Sequence, residues 1–258
     1  MADRIEQISD DFYSIRGSFK IGGLLDIGTH AALVRKADGR FVMLDSYTLK
    51  DDVEAQVAAL TEDGALLDAI LNLHPFHTVH CKRVHAQFPN AKLYGTVRHA
   101  KKAPDLPWQT LTTDDPALHA SFAEDFEFSV PAGVDFISDN ENIHFSSVLA
   151  RHRASRTVHV DDTLSYAQLP GVVRMFGWND VFAFHPTLGT ALLRKAGAAA
   201  AFRTWAQDIA TRWRDTTTMA TAHLGIWQAP AEGAFEERVL NALNGVESTL
   251  AGHARKHG

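Results

Sequence analysis

The sequence predicts an α/β (α+β) chain in which two β-sheets pack face to face with helices outside them. Three observations carry that expectation. The first fifty residues are short apolar runs broken by Gly, Asp and Lys, which is the pattern of strands. Each half of the chain places strands before helices, in the order β, α, β and then β, α, β, α, which fits two covered sheets better than one doubly wound sheet. Finally, 258 residues with 45% hydrophobic and 22% charged side chains can bury a large core and are too apolar for a disordered or fibrous chain. One domain over residues 1–258 is expected.

Residues 12–15, 30–34 and 41–44 read as strands, with Asp38-Gly39 as the tight turn between the last two and Gly22-Gly23 as a further turn signal. Val53, Val57 and Leu60 recur at helical spacing behind the acidic turn Asp51-Asp52, so a helix runs from 51 to near Gly64. Residues 66–73 read as a helix tail feeding a buried strand, which places His74 at that strand's C-terminal end. Pro75 suits the first turn of a new helix reaching about Phe88, where Pro89-Asn90 stops it. Residues 91–94 form another strand. The stretch 98–116, with Pro104, Pro107 and Trp108, reads as a long surface loop of the kind that walls a site.

In the second half, the alternation Phe122, Glu124, Phe126, Phe128 and the runs 134–137, 147–149 and 157–160 predict strands. From Leu188 onward Leu192, Phe202, Trp205, Ile209 and Trp213 keep the helical period, residues 216–222 form a last strand ending on His223, and Val239, Leu243, Val246 and Leu250 mark one helical stripe over 234–250. Trp108, Trp178 and Trp227 are loop aromatics, read first as packing and second as substrate walls.

Composition excludes several classes. The formal charge is −6 and the 25 basic residues are scattered, so no strip follows a phosphate backbone and nucleic acid is not an expected partner. A single cysteine, Cys81, excludes an internal disulfide framework and an all-cysteine zinc site, and a reducing compartment is its natural setting. The N-terminal residues lack a signal-peptide core, and no apolar run approaches the roughly 18 residues a membrane span needs. A cytoplasmic protein without a membrane partner is expected. No GxSxG elbow, P-loop, GxGxxG after the first strand or CxxC is present.

The informative residue is histidine, of which there are 14. The stretch 71–81, LNLHPFHTVHC, sets His74, His77 and His80 three apart across a proline. Two readings compete for it: a metal-ligand cluster, or a helix whose stripe of His77, Cys81, Val84 and Phe88 is a packed face. Four groups share one position, the point where a strand gives way to a loop: His74, His144, Asp162 and His223. Strand ends at one edge of a sandwich converge, and neutral imidazoles with a carboxylate are donors that zinc, manganese or iron accept. His159 alternates with Val158 and Val160 and so faces the other side, where Asp161 is its nearest acid. The remaining histidines, His30, His99, His253 and His257 among them, follow no pattern.

At these residues the chain resembles the metallo-β-lactamase fold superfamily over nearly its whole length. The resemblance rests on residues 28–45, an opening hairpin with an aspartate, Asp45, closing its second strand; on Leu73-His74 followed by 88–94; on RTVHVDDTL at 156–164; and on Ala222-His223-Leu224-Gly225. It implies a four-layer αββα sandwich. It also implies metal ligands at His74, Asp162 and His223, with His144 within one residue of the mid-chain histidine. The family's HxHxDH would need His at 76, Asp at 78 and His at 79, but the chain has Phe76, Thr78 and Val79, with His77 and His80 displaced by one.

The expectation is therefore a metal-dependent hydrolase with an atypical, single-metal site. His74, His77, His144, Asp162 and His223 would form it with His80 in reserve, and Asp162 would hold both metal and water. The metal is zinc, with iron or manganese as alternatives, and the substrate is a small ester, lactone, amide or phosphodiester. Two rivals are a non-catalytic binding protein of the same fold and an iron-dependent redox enzyme.

Overall fold

The computed structural model describes residues 3–18, 20–21, 25–26, 28–168, 180–223 and 225–258. The Gly22-Gly23 turn and Trp178 lie outside the described residues. The mixed α/β content is as predicted, with fifteen strands and eight helices among the described residues. None of these helices is long and apolar enough to cross a membrane. The chain divides into two compact units, Met1–Phe128 with Ala150–His159, and Ser129–Leu149 with Val160–Gly258.

The first unit holds a six-stranded sheet in the order β1-β2-β5-β6-β7-β8. Its strands are β1 (Arg4–Ser9), β2 (Phe12–Gly17), β5 (Thr29–Arg35), β6 (Phe41–Leu44), β7 (Leu67–Leu71) and β8 (Lys92–Tyr94). A separate two-stranded pair, β3 (Lys20–Ile21) and β4 (Leu25–Asp26), precedes β5. The strands from β1 to β6 are antiparallel, whereas β7 lies parallel to β6 and β8 parallel to β7. A parallel step needs a crossover, and α1 (Asp51–Thr61) supplies it between β6 and β7. Every residue of β6 is buried, as an interior strand covered on both faces requires, and this is why its sequence reads as a continuous apolar run. Val53 and Val57 of α1 join Met43, Ile70 and Leu93 in one core cluster, so truncating Ile70 to Ala is expected to cost about 2–5 kcal/mol.

Strands β9 (Phe126–Ser129), β10 (Leu149–His152) and β11 (Thr157–Val160) are successive neighbours in a second sheet, β11 with the predicted bounds. Inside the first unit the buried ring of His152 lies 6.3 Å from that of Phe12 on β2 and 5.5 Å from that of Phe126 on β9, so here the two sheets do face each other.

Three expectations in this unit are corrected. The helix after Pro75 begins only at α2 (Cys81–Gln87), and residues 75–80 are turns and loop. The stretch read as a loop from 98 contains α3 (Val97–Lys102), closed at its start by a reciprocal cap between Thr96 and His99. A further helix, α4 (Pro116–Ser121), capped by Asp115, follows. Only Phe126–Ser129 of the alternating 122–128 run is strand.

The second unit contains the antiparallel pairs β12 (Leu164–Ala167) with β13 (Val181–Phe184) and β14 (Thr218–Thr221) with β15 (Ile226–Gln228). Its helices are α5 (Leu188–Ala191), α6 (Ala198–Arg212), α7 (Ala234–Gly245) and α8 (Glu247–His257). The apolar stripe of α6 is buried as its spacing predicts: Phe202 packs on Phe145 and Phe184 at ring separations of 5.8 and 5.1 Å. Trp205 donates its indole N–H to Ser129 Oγ at 2.8 Å. The single stripe read over 234–250 is two helices, because the ladder breaks at Val246 immediately after Gly245. Residues 134–137 form no strand, only an isolated bridge from Val134 to Leu192.

Candidate functional site

The end of β7 is anchored before His74 is reached. Asn72, fully buried, accepts from Ser46 Oγ at 2.7 Å and donates its side-chain amide to Tyr94 O at 2.9 Å, while Thr113 Oγ1 donates to its carbonyl at 2.9 Å. The backbone N–H groups of Leu73 and His74 then donate to Asp45 Oδ1 at 2.8 and 3.4 Å. The other oxygen of Asp45 meets His159 Nε2 at 2.9 Å. An ionised carboxylate only accepts, so the N–H in this contact is that of His159 Nε2. The Nδ1 of His159 is buried and has no hydrogen-bond partner among the described residues. The ring of His30 stacks on His159 at 4.1 Å, with 8° between planes.

Asp45 is 1% exposed and has a φ of +58°. A side chain in that left-handed region costs roughly 1–3 kcal/mol unless its surroundings hold it there, and aspartate tolerates it better than most. Three buried donors on one carboxylate are what hold it. Asp45 appears in the sequence only as the residue closing a strand. Its part in fixing the backbone at Leu73 and His74, and the pairing of His30 with His159, depend on partners far along the chain and carry no local signal.

The His74 and His77 rings stack at 4.1 Å, with 21° between planes, and offer ligand nitrogens within 4.8 Å of each other. A tight turn brings them together, with His77 N–H donating to His74 O at 3.1 Å and Phe76 N–H donating to His74 Nδ1 at 3.1 Å. Arg98 lies over the Phe76 ring at 4.4 Å, covering that turn. Beside it, burial pushes the His99 ring down to about 3, against the opposing effect of a hydrogen bond to the His77 backbone. His99 is therefore neutral near pH 7. His80 is placed otherwise: its Nδ1 pairs with Thr48 Oγ1 at 2.7 Å and its ring lies 5.1 Å from that of Tyr47. Burial, then the charges of His77 and Lys50, hold it below the usual histidine value. Tyr47 is itself seated against Gly17, where a Cβ would stand 2.0 Å from the ring.

In the second unit, Ala222 N–H donates to Val160 O at 3.1 Å, so the exit of β14 runs beside the end of β11. Two residues beyond each of these ends stand Asp162 and His223, and Asp162 Oδ1 lies 3.3 Å from His223 Nε2. Two donors each about 2.1 Å from a tetrahedral ion stand roughly 3.4 Å apart, so this spacing suits a shared metal. His144 is placed otherwise, its Nε2 lying 2.6 Å from Glu141 O. Trp108, one of the loop aromatics, packs against the core and donates to Ala103 O at 2.8 Å.

Imidazoles and a carboxylate are donor types that a divalent metal ion accepts. His74 makes one demand. While its Nδ1 accepts from Phe76, a neutral ring carries its proton on Nε2, so ligation at Nε2 requires that hydrogen bond to open.

No family model and no curated protein sequence matches the chain. Solved structures do. A metallo-β-lactamase from Erythrobacter litoralis with β-mercaptoethanol in its active site aligns at a TM-score of 0.62 with 14% identity, covering 94% of this chain and 96% of that one. DIM-1 metallo-β-lactamase aligns at 0.59 with 13% identity over 93% and 98% of the two chains. FIM-1 from Pseudomonas aeruginosa in its mono-zinc form aligns at 0.56 with 11% identity over 96% and 97%. With coverage this complete and identity this low, the likeness is one of architecture: the chain has the metallo-β-lactamase fold.

Proposed function

We propose that the protein is a metal-dependent hydrolase that holds one divalent ion, zinc in the first instance, with His74, His77, Asp162 and His223 as its ligands. The observation that carries this reading is the Asp162–His223 pair, 3.3 Å apart just past two neighbouring strand ends. The paired imidazoles of His74 and His77 support it. When bound, the metal would supply a hydroxide near neutral pH by lowering the pKa of water to roughly 7.

The chain's own residues have separate tasks. Asp162 accepts the proton of the attacking water, a task for which Thr78 has no carboxylate. Asp45 fixes the backbone from which His74 projects, and Asp162 with His223 presents the polar edge to which a small ester, lactone, amide or phosphodiester binds. Hydrolysis of a panel of such substrates, with and without chelator, in wild type and in Asp162→Asn tests this. Turnover of at least one substrate, lost in the variant and on chelation, is expected; turnover indifferent to both rejects the reading.

One observation favours a second reading, a non-catalytic protein of the same fold. The Phe76 N–H to His74 Nδ1 bond gives the His74 ring a structural role in the turn. In that case added zinc leaves the Phe76 amide resonance unmoved, whereas metal at His74 Nε2 shifts it.

A further inference from the structure

A second feature of the molecule lies wholly within the second unit and has no part in the hydrolase reading. On α8, His253, Lys256 and His257 are spaced i, i+3, i+4 and so share one helical face. With Arg194, Asn140 and Thr249 they line a cavity of about 400 Å³, and no acidic side chain lines it among the described residues. Neither Arg194 nor Lys256 forms an ion pair among the described residues, although Arg203 and Arg212 in the same unit each do. His253 Nε2 is buried without a hydrogen-bond partner there. Asn140 Oδ1 already accepts from Asn142 N–H at 3.0 Å, which leaves its NH₂ as a donor. The cavity therefore gathers cations and donors and no acceptor charge to balance them.

We propose that this cavity binds a phosphate dianion, free or carried on a small molecule. Two chemistries compete for such a cluster. Histidines at i and i+4, with rings 4.6 Å apart, have the spacing of a metal chelate. A cation here would meet the fixed charges of Arg194 and Lys256 with no carboxylate to offset them, so the balance favours an anion. Arginine's planar fork bonds two phosphate oxygens at once, lysine adds a point charge, and Thr249 and Asn140 contribute neutral donors. Consistent with a site wanting negative charge, partial burial and then the positive charges of His253, Lys256 and Arg194 hold His257 below the usual histidine value.

The test is a titration of the full chain with inorganic phosphate and with ribose 5-phosphate at constant ionic strength. Calorimetry and the ring-proton resonances of His253 and His257 follow binding in wild type and in the double variant Arg194→Ser, Lys256→Ser. Both substituted residues are exposed, so the fold should survive, and an unchanged melting temperature checks this. The expected result is saturable one-to-one binding that moves both ring resonances and weakens at least tenfold in the double variant. Tighter binding of the sugar phosphate assigns the ester, and equal binding assigns the free ion; either supports the site. Absence of saturable binding, equal binding by the double variant, or zinc moving the two ring resonances where phosphate does not would overturn it.

Discussion

The histidine pair after β7 and the Asp162–His223 pair are built in opposite ways. His74 is fully buried, its N–H is taken by Asp45, its carbonyl by His77 and its Nδ1 by Phe76. Asp162 and His223 instead face each other, with 22% of the His223 side chain exposed. The first pair is locked by backbone and by a distant carboxylate; in the second, Asp162 is buried and His223 reaches the surface. Stability should therefore depend on the residues around the first pair, while the partly exposed His223 can be altered at little cost to the fold.

The strongest way to break that contrast is Asp45→Ala. It leaves the Leu73 and His74 N–H groups and the His159 Nε2–H without their buried acceptor, and a loss of about 3–5 kcal/mol is expected from denaturant unfolding. Asp45→Asn keeps a carbonyl acceptor and tolerates positive φ, so it should lose less than about 2 kcal/mol. Equal losses in the two variants would mean that the carboxylate has no special part in holding the turn.

Acid sharpens the contrast next. His99 is held neutral in the folded state, down to about 3, whereas unfolded histidine protonates near its ordinary value. Protons therefore favour the unfolded chain: the contribution is complete above pH ~6.5 and is lost as pH falls toward 3, at about 1.4 kcal/mol per pH unit. In His99→Gln the acid limb of the stability profile should flatten by that slope, and an unchanged limb would remove His99 from the lock.

Smaller effects follow. Thr48→Val removes the partner of His80 Nδ1 and should cost about 1 kcal/mol without altering metal content, because His80 is not one of the proposed ligands. His223→Gln should change stability by less than about 1 kcal/mol, since its carboxylate partner serves a partly exposed side chain. A larger loss there would erase the distinction between the two pairs. Cys81, 1% exposed and pushed up to about 12 by burial, should resist thiol reagents at pH 8 until the protein unfolds.

What was legible in the sequence follows the same division. Strand β11 and helix α1 could be read because local pattern and burial agree: Val158 and Val160 are fully buried, and the acidic first turn and apolar spacing of α1 point to one structure. The edge strand β1 and strand β13 escaped because they are mostly half-buried or exposed, so they carry little apolar signal. The helix expected from Pro75 failed for a tertiary reason. Asp45 takes the N–H groups of Leu73 and His74 ahead of Pro75, a partnership that does not show in residues 71–81, and residues 75–80 turn before the helix starts at Cys81. At the site, His74, His144, Asp162 and His223 were all read from strand-end position, yet His144 lies against the Glu141 carbonyl, while His80, read from spacing, pairs with Thr48.

The most direct measurement is the metal content of the purified protein after dialysis against zinc, by mass spectrometry, for wild type, His74→Ala and His223→Ala. Close to one equivalent in wild type, lost in both variants while the Asp45-dependent stability persists, is the expected result. A metal-free wild type, or one whose zinc survives either substitution, would contradict a single ion held jointly by the locked and the open pair.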